Sequence, residues 1–157
     1  MTVRPQRILW PTDFTELALH GGKYARGFCE VFGAELHIIH VVAAPVPLEM
    51  SLTMPAEVPV ALPEPGLLDA ARESLRHLAD EHFAGLPNIH REVFFGNPWS
   101  GVCDYAAQHD IDLIIVSTHG RTGLERVLTG STAERIVQHA PCPVLTVKSP
   151  AKDFLTE

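Results

Sequence analysis

From Ser117 to Thr132 the chain reads Ser-Thr-His-Gly-Arg-Thr-Gly-Leu-Glu-Arg-Val-Leu-Thr-Gly-Ser-Thr. Glycines, hydroxyls and two arginines are concentrated there. The stretch follows a fully apolar run, Leu113 to Val116, and leads into a periodic segment opened by Ser131. In that segment Ala133, Ile136, Val137 and Ala140 share one side. The pattern predicts a buried strand, a loop from Ser117 to Gly130, and a helix. Gly130-Ser131-Thr132 sets backbone N–H groups and hydroxyls at the helix start. The first N–H groups of a helix lack intrahelical partners and its dipole is positive there, so the place suits an anion. The chemistry expected is phosphate binding. The plainer reading is that the glycines serve the turn and the hydroxyl residues cap the helix.

A second polar stretch, Pro11-Thr12-Asp13, closes the short apolar run Ile8-Leu9-Trp10. Pro11 cannot donate a ladder hydrogen bond, so the first strand should finish there. Thr12, Asp13 or Thr15 can cap the helix that follows. In that helix Ala18, Gly22, Ala25, Cys29 and Phe32 form one stripe, with Gly21 and Phe28 beside it. The small residues 21, 22 and 25 predict close packing on a sheet. Gly33 is placed to end the helix in a left-handed conformation.

The remaining elements follow in order. Glu35 to Val42 is the second strand. Ala43 to Gly66 holds six prolines and cannot be a regular helix or a central strand. Its Met50, Leu52, Met54 and Val58 cover a pocket, touch a partner or pack on the chain's own surface. Leu67 to Phe83 is a helix, with Leu68, Ala71, Leu75 and Leu78 on its apolar side. Ile89 to Phe95 is a strand with a polar start, placed at a sheet edge. Asn97 caps a further helix with Pro98 at its first position, and Trp99, Val102, Cys103 and Ala106 face inward. Pro141-Cys142-Pro143 breaks the helix that follows the glycine loop. Val144 to Val147 is the fifth strand. The polar tail from Ser149 to Glu157 is expected to fray.

Alternating strands and helices predict a parallel sheet covered on both faces. Ligands in such sheets bind at the carboxyl ends of strands where the strand order reverses. If the first strand lies beside the fourth, Pro11-Thr12-Asp13 and the glycine loop border the same crevice.

Composition narrows the function classes. A chain of 157 residues is expected to be one domain, 1–157, with a real core. The net charge of -7 argues against a nucleic-acid binder. No apolar run reaches membrane-spanning length. The amino terminus leads into the first strand without a secretory apolar region, so the cytoplasm is expected. The three cysteines are far apart, which argues against a disulfide framework. Nine histidines are scattered, with His37 and His40 flanking the second strand and His77 and His82 on a predicted helix. No zinc-ligand spacing joins them, and no metal site is expected.

These residues resemble the universal stress protein family. The resemblance rests on Ile8-Leu-Trp-Pro-Thr-Asp-Phe-Thr-Glu16, His40-Val41-Val42, the Ser117–Ser131 block and Pro141-Cys-Pro-Val-Leu-Thr-Val147. It spans about Arg7 to Lys148. It implies an α/β domain with a doubly wound, five-stranded parallel sheet of order 3-2-1-4-5, Rossmann-like and close to the adenine nucleotide alpha hydrolase type. It also implies ATP binding, with or without Mg2+, through Gly-x2-Gly-x9-Gly followed by Ser or Thr. Gly120, the nine residues 121–129, Gly130 and Ser131 match; Ser117 stands where the first glycine belongs. Carried over by position, Asp13 would bind the ribose hydroxyls, and Pro11, Thr12 and Val41 would line the adenine pocket. Gly120, Gly130, Ser131 and Thr132 would hold phosphates. Arg121 and Arg126 are charge partners or, more simply for Arg126, solvated surface residues. His119 lines the loop or is only a turn residue.

The resemblance further implies a homodimer formed through the Val144–Val147 edge strand, and a protein partner of unknown identity. No P-loop of the Gly-x4-Gly-Lys-Ser/Thr kind occurs, nor an evident base, so no enzyme is expected beyond a slow ATPase. The sequence leaves two classes in competition. One is an ATP-binding stress-response module whose nucleotide state tunes conformation or partner choice. The other is a dimeric interaction protein of the same fold that binds no nucleotide, and Ser117 is the residue that favours it.

Overall fold

A computed structural model describes residues 1–43, 66–119, 132–149 and 152–155. The proline-rich stretch 44–65 and the loop 120–131 lie outside the described residues. The elements, in chain order, are β1 (Arg7–Pro11), α1 (Glu16–Phe32), β2 (Glu35–Ala43), α2 (Leu67–His82), β3 (Ile89–Gly96), α3 (Pro98–Gln108), β4 (Leu113–His119), α4 (Thr132–His139) and β5 (Val144–Ser149). The strands form one parallel sheet of order β3-β2-β1-β4-β5. The strand order reverses at β1, between β2 and β4.

Strand alternation divides the core in two. Ile8, Trp10, Leu36, Ile38 and Ile115 pack toward α1 and α2. Leu9, Ile39, Ile114 and Val116 pack toward α3 and α4. Both faces are therefore apolar, and the central strand β1 has three successive residues, Ile8, Leu9 and Trp10, fully buried.

Local signals set the helix ends. Thr15 is the residue that caps α1, its Oγ1 accepting from the Ala18 N–H at 3.2 Å. Gly33 closes the helix at φ 66°, and its N–H donates to the Cys29 carbonyl. The Asn97 side chain accepts from the Trp99 and Ser100 N–H groups, and Pro98 opens α3.

Three expectations need correction. β4 continues through Ser117, Thr118 and His119, because these residues pair with Val147, Lys148 and Ser149 of β5; ladder hydrogen bonds carry polar residues that an apolar run would not include. Val137 is 51% exposed, whereas Ile136 is buried. The short α4 lies chiefly against α3, so its contact stripe is narrower than the sequence pattern. The tail does not fray over residues 152–155. Asp153 Oδ1 accepts from the Tyr24 hydroxyl at 2.6 Å, Phe154 packs edge-on to the Tyr24 ring, and Leu155 joins the core.

α1 sits close to the sheet because of its glycines. A Cβ built on Gly22 would lie 2.8 Å from Cζ2 of Trp10, a ring that is fully buried and packed on Phe83. Around Gly27 the same atom would meet nothing within 4 Å. Gly22→Ala should therefore destabilise the protein by about 1 kcal/mol, overpacking outweighing the gain in helix propensity. Gly27→Ala should stabilise by about 0.5–1 kcal/mol. Urea denaturation midpoints check the pair, and equal shifts of the two variants would contradict the packing account.

Candidate functional site

β1 delivers its last residues to the carboxyl end of the sheet. Pro11 offers no N–H, but Thr12 continues the ladder by one bond, donating to the Ile39 carbonyl at 2.9 Å. The chain then turns sharply. Phe14 takes φ 65°, a left-handed conformation that costs a bulky residue free energy and calls for support. Support comes from two contacts. The Phe14 N–H donates to Thr12 Oγ1 at 3.1 Å, and its ring packs on His40 with centroids 4.5 Å apart. Asp13 is braced as well, its Oδ1 accepting from the Thr15 N–H at 3.0 Å and the Thr15 hydroxyl at 2.6 Å. The second carboxylate oxygen is left for another donor. His40 Nδ1 lies 2.8 Å from the Thr12 carbonyl, which can only accept, so Nδ1 carries the proton.

This turn forms one wall of a cavity of about 320 Å³. Pro11, Thr12, Asp13, Val41, Ser117 and Thr132, all named from sequence, line it together. It lies where β1 and β4 part at their carboxyl ends, the expected place for a ligand in such a sheet. Gly120, Arg121, Gly130 and Ser131 lie outside the described residues, and of His119 only the backbone, at the end of β4, is described. Sequence reasoning missed His40, Val102 and Ile136 as lining residues. The first was read as a flank of the strand, and the other two only as core. The walls are thus mainly apolar, with hydroxyls and one carboxylate at a few points, a usual lining for a small-molecule site.

Ser117 has a partner that its sequence position does not disclose. Its Oγ accepts from the Gly21 N–H at 3.0 Å, across the contact between β4 and α1. A Cβ on Gly21 would collide with that same oxygen. A side chain where the nucleotide motif has glycine is accommodated by a glycine on the facing helix. The hydroxyl proton of Ser117 is still available for donation.

A sequence model of the universal stress protein family matches residues 5–148. The chain belongs to that family. A universal stress protein of Methanocaldococcus jannaschii is 34% identical over 148 residues, covering 94% of this chain and 85% of its own. The solved structure of the universal stress protein UspA from Lactobacillus plantarum is 29% identical with a TM-score of 0.68, covering 93% of this chain and 99% of that one. A universal stress protein solved in complex with cAMP is 19% identical, with a TM-score of 0.69 over 92% of this chain and 98% of its own. The likeness to the last is one of fold. The universal stress protein fold and the sheet order read from the resemblance both hold. Among the described residues no helix is long and apolar enough to cross a membrane.

The Ser117–Gly21 contact makes a double-mutant cycle informative. Gly21→Ala should destabilise the native chain by about 1–2 kcal/mol, since the methyl displaces the Ser117 hydroxyl from its donor. In a Ser117→Gly background the same change should cost about 1 kcal/mol less. Additive losses in denaturant midpoints would show that the two sites do not communicate.

Proposed function

We propose that this universal stress protein is an ATP-binding regulatory module, whose nucleotide state tunes its conformation or its choice of protein partner. The observation that carries the reading is the convergence of Thr12, Asp13, Val41, Ser117 and Thr132 on one cavity at the strand-order reversal. Adenine would lie against Pro11 and Val41. The unused oxygen of Asp13 would accept from a ribose hydroxyl, while the Thr15 contacts hold the carboxylate still. Thr132, the first residue of α4, would meet the phosphates with Gly120, Gly130 and Ser131, and Arg121 and His119 would border them. ATP would bind with or without Mg2+. The family relative solved with cAMP supports an adenine ligand of this kind.

In this reading the role is binding, with at most slow ATP hydrolysis. Phosphoryl transfer needs a positioned group to orient the attacking oxygen. Asp13 is committed to Thr15 and to the proposed ribose contact. The alternative of an interaction protein without nucleotide rested on Ser117, and the room left by Gly21 weakens it. We also place a homodimer contact on β5, which ends the sheet. Val147 is buried within the protomer, and Val144 and Leu145 are half-buried, so strand pairing through the backbone would dominate that contact. Sedimentation at twice the chain mass of 17.2 kDa is expected, and a single-chain mass at micromolar concentration would contradict it.

Calorimetric titration of nucleotide-free protein with ATP tests the main reading. One equivalent should bind saturably. Asp13→Ala should weaken binding about tenfold or more, the loss of a charge-assisted hydrogen bond, and Gly130→Val should abolish it. No heat up to millimolar ATP would sink the proposal.

A further inference from the structure

At the opposite end of the sheet, three side chains that the nucleotide reading does not use come together. Glu35 and His37 stand two apart on β2 and share its face. His90 lies beside His37 in the parallel register of β2 and β3. The two imidazoles stack with centroids 4.5 Å apart and planes at 22°. His90 Nε2 is 3.8 Å from the Glu35 carboxylate. One ligand atom from each residue lies within 4.8 Å of the other two.

His37 makes the cluster more than a surface coincidence. It is only 4% exposed, and its buried Nε2 has no hydrogen-bond partner among the described residues. A buried polar atom without a partner is costly and uncommon, and it calls for an explanation. The other ring nitrogen, Nδ1, is 2.9 Å from the Tyr105 hydroxyl. With Nδ1–H donating to that oxygen, Nε2 carries a free lone pair. This is how a metal-bound histidine is normally held, one nitrogen on the metal and the other fixed by an outer partner. We infer that Glu35, His37 and His90 form a binding site for a single divalent transition-metal ion, Zn2+ being the best match.

The chemistry of the donors supports that choice. Two imidazoles and one carboxylate suit Zn2+ or Co2+, whereas Mg2+ and Ca2+ prefer oxygen alone. Arg7 lies beside Glu35 in the register of β1 and β2. Its guanidinium is engaged by the His109 and Asp110 carbonyls and paired with the Asp110 carboxylate at 3.5 Å. Glu35 and His90 are half-exposed, so an ion can enter from solvent and retain water at its open positions. Zinc–ligand bonds of about 2.0–2.2 Å require the donors to draw in and His90 to turn out of its stack on His37, since a ligating lone pair lies in its ring plane; the solvent-open His90 and half-exposed Glu35 are the side chains that would move. The bound ion would clasp β2 to β3, at the end of the sheet remote from the crevice.

The test uses Zn2+ alone on chelator-stripped full-length protein, read by calorimetry and by thermal melting. One equivalent should bind with a dissociation constant on the order of micromolar or below, and Tm should rise with zinc. His90→Ala and Glu35→Gln, both at exposed positions that should leave the fold intact, should each weaken binding at least tenfold. His77→Ala and His82→Ala, on α2, should leave it unchanged. Co2+ in place of zinc should give visible absorption bands that His90→Ala removes. Absence of binding below millimolar zinc would overturn the inference. So would equal affinity in wild type, His90→Ala and Glu35→Gln, since the ion would then be held by other surface histidines.

Discussion

The depth at which α1 rests on β1 and β4 controls the rest of the architecture. Gly22 lets the helix backbone reach the buried Trp10 ring, and Gly21 lets it reach Ser117. Trp10 in turn donates from its indole N–H to the Ala18 carbonyl at 3.1 Å, tying the first turns of the helix to the strand that precedes it. The loop between strand and helix is therefore short and strained, with Phe14 held at positive φ. That strained loop carries Thr12 and Asp13. A helix with larger residues at 21 and 22 would stand off the sheet, and the Thr12-Asp13 turn would no longer meet β4.

Around that contact the polar groups of the crevice are largely pre-engaged. Thr12 uses its N–H, its carbonyl and its hydroxyl in internal bonds. Asp13 uses one carboxylate oxygen on Thr15. Such bracing fixes side chains before any ligand arrives, so binding does not have to order them. Among the described residues, the second oxygen of Asp13, the donor of Ser117, Nε2 of His40 and the hydroxyl-bearing start of α4 remain uncommitted. Their separation around an apolar cavity suits a ligand with a flat apolar part, hydroxyls and negative charge.

The fold was readable because each strand and helix carries a local signature. Continuous apolar runs mark β1 and β4 as strands covered on both faces. Asn97-Pro98 and Gly33 mark helix boundaries by their backbone preferences. The crevice residues were legible for a related reason, since they sit at strand ends that the topology must gather. Other features depend on distances the sequence does not contain. The stacking of His37 on His90 follows from the register of β2 against β3, and nothing in either segment alone states that register. Spacing rules for metal ligands look along the chain and pass over a pair joined across strands. The docking of Asp153 and Phe154 on Tyr24 is hidden in the same way within a polar tail. Ser117 reads in isolation as a defect in a glycine motif, and only the facing Gly21 shows how the side chain is housed.

The crevice between β1 and β4 is the nucleotide site proposed for this chain. Backbone amide chemical shifts of isotope-labelled protein, followed during addition of ATP with Mg2+, test this residue by residue. The account predicts saturable shifts concentrated at Thr12, Asp13, Val41, Ser117 and Thr132, with a common dissociation constant and little change at the amino ends of β2 and β3. Shifts that never saturate, or that centre elsewhere on the sheet, would contradict it.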